Sequence, residues 1–220
     1  MRIVILSTAL SVSLFSMTLD FSKSFYIEIK PDTLQANISI KVVEKSEIDV
    51  TQTLGKYSTF INKTDDIEKK GGNYTVYPKY SYENNRRYKN GYIGNMNYTI
   101  SSKDSDKLNN FLKKLYTQKS KESVDISTSS LSWVMSKKQK ENKIDALRLD
   151  AMLWGNSYAK TLSDSLSKKC TLTQVSFSKN SDYYPTPMMR EMSMDKSSAP
   201  TPTQDMQKIR VNPTFKLECK

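Results

Sequence analysis

The sequence predicts an α+β fold: mostly antiparallel sheets with helices packed on one face, in the order ββαββαβαββ, behind a signal peptide. Two observations carry this. Several segments alternate apolar and polar residues with period two, while three others switch to helical spacing. Turn signals such as Pro31-Asp32 separate them, and paired strands stand beside single helices.

The elements follow in order. Met1-Arg2 and the apolar stretch Ile3 to Phe15 have the layout of a secretory leader, too short and too weakly apolar to span a bilayer. Residues 1–19 are assigned to it, with small residues at Ser11, Ser13 and Ser16 but no A-x-A site to fix the cleavage point. Residues 20–220 form the mature domain, long enough for one core or for two α/β lobes.

Phe21, Lys23, Phe25, Ile27 and Ile29 share one parity and predict a half-buried strand. Leu34, Ala36, Ile38, Ile40 and Val42 predict a second, and the two read as a hairpin about Pro31-Asp32. Val50, Leu54, Tyr57 and Ile61 fall at helical spacing, and Gly71-Gly72 is the expected stop. Tyr74, Val76, Pro78, Tyr80 and Tyr82, a polar loop from Glu83 to Asn90, and then Tyr92, Met96, Tyr98 and Ile100 predict a Tyr-rich hairpin. Pro78 there implies an edge strand or a bulge.

Asp104 is placed to cap a helix carrying Leu108, Phe111, Leu112 and Leu115. Val124 and Ile126 are out of phase with Leu131, Trp133 and Met135, which predicts a strand bulged near Ser127–Ser130. Ile144, Leu147, Ala151, Trp154, Tyr158 and Leu162 mark the stripe of a long helix over 138–167. Val175 and Phe177 lie on a strand, a Pro-rich loop follows over 181–204, and Ile209 to Cys219 alternate as one last strand.

The two cysteines, Cys170 and Cys219, open one predicted strand and close another; an exported chain with two cysteines predicts one bridge between them, the other reading being two free thiols. The formal net charge of +11 favours an anionic partner, such as lipid headgroups at a membrane surface, an acidic polysaccharide or an acidic protein of the envelope. Export argues against nucleic acid.

The chain has no histidine, which removes imidazole-based triads and the commonest zinc and copper ligand. It lacks a Walker or dinucleotide glycine motif. Asp65-Asp66, and Asp145 with Asp150, are the carboxylates left for acid–base chemistry, and solvated positions suit both sets better. No cofactor is expected and the chain is read as non-catalytic.

Two surfaces stand out instead. Arg86, Arg87, Tyr88 and Lys89 at the hairpin tip combine cations with aromatic rings and suit a contact arm for an anionic or sugar ligand. Met188, Met189, Met192 and Met194 crowd four thioethers into seven residues. They fit a loosely packed flap first, an adaptable contact second, and a Cu(I) or oxidant-buffering site third.

Across the mature length the sequence resembles the SIMPL-domain family of exported bacterial proteins. The matching features are Pro31-Asp32, Tyr77-Pro78-Lys79-Tyr80-Ser81-Tyr82, Gly91-Tyr92, Asp150-Ala151, Tyr183-Tyr184-Pro185, the Met/Pro loop and the Ile209–Glu218 strand. Ser22-Lys23-Ser24 stands where the family commonly has glycines, and no alanine occurs between Glu47 and Lys69. The resemblance implies a periplasmic, non-catalytic envelope protein with possible outer-membrane association, loosely tied to stress tolerance, and a homo-oligomer.

Overall fold

The computed structural model describes residues 16–119, 122–177 and 201–220. Most of the leader assignment and Met188, Met189, Met192 and Met194 lie outside them. Among the described residues the order is β1 (Met17–Ser22), β2 (Phe25–Ile29), β3 (Thr33–Glu44), α1 (Glu47–Asn62), β4 (Glu68–Glu83), β5 (Arg86–Ser102), α2 (Ser105–Thr117), β6 (Val124–Val134), α3 (Lys137–Leu166), β7 (Cys170–Ser176), β8 (Gln207–Val211) and β9 (Thr214–Cys219). The class is α+β as expected, and the chain divides into two compact units.

One unit comprises residues 30–139 and 201–207. Its sheet runs β4-β5-β3-β6, and the pairs β4/β5, β5/β3 and β3/β6 are all antiparallel. With α1 between β3 and β4, and α2 between β5 and β6, this is the β-α-β-β-α-β arrangement of ferredoxin-like folds. The pleat sorts residues cleanly. Leu34, Ala36, Ile38, Ile40 and Val42 of β3, with Met96, Tyr98 and Ile100 of β5, are buried on one face. Val50, Leu54, Tyr57 and Ile61 of α1 and Leu108, Phe111, Leu112 and Leu115 of α2 complete that core. The apolar rows of two helices meet one face of a sheet, which is how a half-apolar sheet gets its second layer.

Caps fix both helix starts. Ser46 Oγ accepts from Asp49 N–H, and Asp104 Oδ1 accepts from the N–H groups of Asp106 and Lys107 at 2.9 and 3.2 Å. The Lys69 ammonium donates to the carbonyls of Asn62 and Thr64 at the end of α1. Ser136 Oγ accepts from Gln139 N–H at 3.2 Å at the start of α3. The carboxylate of Asp32 in turn takes Ser136 N–H at 2.7 Å, Ser136 Oγ–H at 2.8 Å and Thr33 Oγ1–H at 3.0 Å, tying the entry of β3 to the entry of α3.

The other unit comprises residues 16–29, 140–177 and 208–220. It holds the sheet β1-β9-β7 and the pair β2-β8. Ala151 and Ala159 of α3 are buried with Phe215 and Leu217 of β9, and Phe21, Phe25, Trp154, Tyr158 and Leu162 pack around them. Gly155 lets helix and sheet approach: a Cβ there would lie 3.0 Å from Leu172 and from the Phe215 ring.

Several expectations change. The first predicted strand is two, β1 and β2, and neither pairs with β3, so the expected hairpin about Pro31-Asp32 is absent. Both edges of β3 are already taken by β5 and β6. The last predicted strand is likewise two, broken at Asn212-Pro213, where proline has no N–H to give a ladder. Met17 to Leu19, assigned to the leader by sequence, form the first half of β1 opposite Leu217 to Cys219. Gly71-Gly72 does not stop α1. The helix ends at Asn62, and the two glycines, with φ of 104° and 86°, sit inside β4 where the register shifts. The bulge expected in β6 occurs, with Gln35 opposite Ser132 and Asn37 opposite Ser129.

Candidate functional site

Asn84 and Asn85 have φ of 48° and 63° and make a two-residue turn between Glu83 and Arg86. Both central residues at positive φ is the hairpin geometry that matches strand twist, and asparagine tolerates it. The segment expected as a loop over 83–90 is therefore strand almost to the tip. Arg86, Arg87, Tyr88 and Lys89 belong to β5 and pair with Glu83, Tyr82, Ser81 and Tyr80.

This part of the hairpin outruns its sheet. The last residue of β3, Glu44, stands opposite Tyr92, so the strands beyond Pro78 and before Tyr92 have only each other among the described residues. The register passes from Pro78/Tyr92 to Tyr80/Lys89, which places an extra residue on β5. Gly91, with φ of 99°, supplies the left-handed backbone there. Pro78 predicts an edge strand or a bulge, and both occur: β4 is the outermost strand of its sheet, and the register shifts just past Pro78.

The pleat then aligns unlike groups. The Arg87 guanidinium lies 3.4 Å from the centre of the Tyr80 ring. The Lys89 ammonium lies 4.1 Å from the centre of the Tyr92 ring and donates to its hydroxyl. Each exposed cation–ring contact contributes about 0.5–1 kcal/mol and holds a flexible side chain in one pose. Tyr82 is 72 % exposed, and Tyr88 and Tyr77 face solvent as well. Between Pro78 and Tyr92 the ribbon carries Lys79, Arg86, Arg87 and Lys89 against one carboxylate, Glu83. It is a two-stranded arm with cations fixed over rings, suited to gripping an anionic surface.

Tyr74 and Tyr80 are exposed: Tyr74 lies on the outermost strand, and Tyr80 lies where the hairpin has left the sheet. Tyr98, on the interior strand β5, is buried, its hydroxyl 3.0 Å from Ser58 Oγ. Of the four carboxylates considered for acid–base chemistry, two stand in exposed ion pairs: Asp66 is 3.6 Å from Lys107 Nζ, and Asp145 accepts from Arg148 Nη1 at 3.0 Å.

Cys170 and Cys219 are directly opposite in the β7/β9 register and form a disulfide. Cys219 is fully buried, so it points to the packed side as the alternation predicted. Lys169 and Lys220 exchange both backbone hydrogen bonds just beyond it, at 2.9 and 3.0 Å.

Residues 24–216 match the model of a family described as SIMPL, protein of unknown function (DUF541). The chain belongs to the SIMPL family. The match begins between β1 and β2 of this SIMPL chain and ends within β9, so it takes in both units. No curated protein sequence matches it significantly. Among solved structures it is similar to a de novo designed protein, Foldit4, at 10 % identity and a TM-score of 0.27, over 44 % of this chain and 99 % of that one. It is similar to a putative aminohydrolase from methicillin-resistant Staphylococcus aureus at 9 % identity and a TM-score of 0.28, over 54 % and 35 %. An unknown protein from Galdieria sulphuraria is similar at 10 % identity and a TM-score of 0.23, over 84 % and 82 %.

Proposed function

We propose that this SIMPL chain is a non-catalytic, exported module of the cell envelope that binds an anionic partner through the β4–β5 ribbon. The observation that carries the reading is the ordered set of Arg87 over Tyr80 and Lys89 over Tyr92 on an arm that outruns its sheet. The lack of histidine and the excess of cations support it. The disulfide supports an oxidising compartment. No helix among the described residues is long and apolar enough to cross a membrane.

The test is flotation of the chain with phosphatidylglycerol vesicles against neutral phosphatidylcholine vesicles, with polygalacturonate as a soluble polyanion. Binding to one or both anionic probes is expected, falling as salt rises. The triple variant Arg86→Ala, Arg87→Ala, Lys89→Ala should lose at least tenfold in affinity with an unchanged circular dichroism spectrum. Equal binding by the variant, or none by the parent, rejects the reading.

A second reading, self-association, is favoured by α3. Leu149, Met152 and Leu153 stand on its outer side, 53 %, 40 % and 60 % exposed, one turn apart on a helix that otherwise shows solvent mostly polar groups. Light scattering should give a mass above one subunit, which Leu149→Lys with Leu153→Lys returns to one. A monomer at high concentration removes this reading and leaves the first intact.

A further inference from the structure

The helix-free face of the β4-β5-β3-β6 sheet has an unusual composition. The register sets Asn73, Asn97, Ser39 and Ser127 in one row across all four strands. Asn37 and Asn95 flank that row. Asn37 Oδ1 accepts from Thr99 Oγ1 at 2.9 Å, and Asn95 Nδ2 donates to Tyr77 Oη at 3.1 Å. A shallow depression of about 470 Å³ opens here, lined in part by Asn37, Asn73, Asn97 and Lys70.

A solvated sheet face needs only polarity, and threonine, lysine or glutamate supplies it. Asparagine is among the residues depleted from strands. Four of them on one face of one sheet weaken it, and for two of the four no hydrogen bond offsets this: Asn37 and Asn95 have the partners just named, but among the described residues Asn73 and Asn97 make no side-chain hydrogen bond. Charge narrows the reading further. This row holds no Asp, Glu, Lys or Arg, and the next row sets Lys41 opposite Asp125, two charges of opposite sign. Lys70 is the one charged residue that lines the depression, too little to select an anionic partner.

We propose that this face binds a neutral, extended glycan, with the asparagine amides taking its hydroxyl and acetamido groups. An amide presents a donor and an acceptor side by side, which matches vicinal hydroxyls and other amides. Tyr77, at the rim of the same face, offers a ring for the apolar side of a sugar. Neighbouring strands lie about 4.8 Å apart, close to the length of one pyranose in an extended β-linked chain, so successive sugars meet successive strands. An extended polypeptide is served less well. It gains affinity by adding to a free strand edge, whereas this face offers side chains above strands whose ladders are already made.

The experiment titrates the intact chain with cellotetraose and tetra-N-acetylchitotetraose by calorimetry. Binding to at least one is expected, with an affinity insensitive to salt. Asn73→Thr with Asn97→Thr should weaken it at least tenfold while the melting temperature stays level or rises, since threonine pairs favour adjacent strands. Should that pair disturb folding, Asn97→Ser alone carries the same comparison. Arg87→Ala with Lys89→Ala should leave sugar binding intact, which separates this surface from the ribbon. No heat with either oligosaccharide, equal affinity in the threonine variant, or retention of carboxymethylated casein without either sugar overturns the proposal.

Discussion

Asp32 shows how much one side chain organises. Burial acts to raise its pKa, but the Ser136 backbone N–H, the Ser136 and Thr33 hydroxyls and the Lys103 ammonium outweigh that and hold it below its ordinary 3.8. A folded value below the unfolded one means stability that is present above pH 4 and drains away as acid passes through the lowered value. Asp32→Asn should therefore cost about 1–2 kcal/mol at neutral pH, and the gap between the two chains should narrow as the pH falls below the ordinary carboxylate value of 3.8, read by denaturant melts from neutral pH into acid. A constant gap would mean that shape, not charge, holds the junction. Nothing in the sequence flagged this role. Pro31-Asp32 predicts a hairpin turn that does not form, and the partner, Ser136, is a hundred residues away with no periodicity to announce it. The asparagines of the open face were hidden for a related reason: alternation records them only as polar.

At the scale of elements, the sequence revealed faces better than partners. The stripe of α3, the cap at Asp104 and the two bulges follow from spacing and turn chemistry, which are local. The breaks at Lys23-Ser24 and at Asn212-Pro213 do not. Parity is kept through both, so Phe21 and Phe25, like Val211 and Phe215, stay in phase and mimic one continuous strand. The ribbon fails differently: exposed on both sides, it has no apolar rhythm to mark it as paired, and polar strand passes for loop. The β7–β9 link carries its own prediction. The cysteines are 49 residues apart, a loop whose closure stabilises by about 4 kcal/mol on chain-entropy grounds. Cys170→Ser with Cys219→Ser, or reductant, should lower the free energy of unfolding by roughly that amount in a urea melt. An unchanged midpoint would show that the ladder holds without the bond.

Taken whole, the molecule nests one stretch of chain inside another. Residues 30–139 supply nearly all of one unit, while the other is built from segments that precede and follow that stretch in the sequence. Its middle strand, β9, lies between β1 and β7, with Met17 paired to Cys219. A chain made or threaded from its N-terminus can finish the inner unit early, because every strand of that sheet is then already to hand. The outer unit must wait. Until the final strand emerges, β1 and β7 are two half-sites with an empty lane between them, and the sulfur of Cys170 has nothing to join. Cys219 thus acts as a completion seal: a polypeptide cut before β9 forfeits its latch and the central rung of a sheet together.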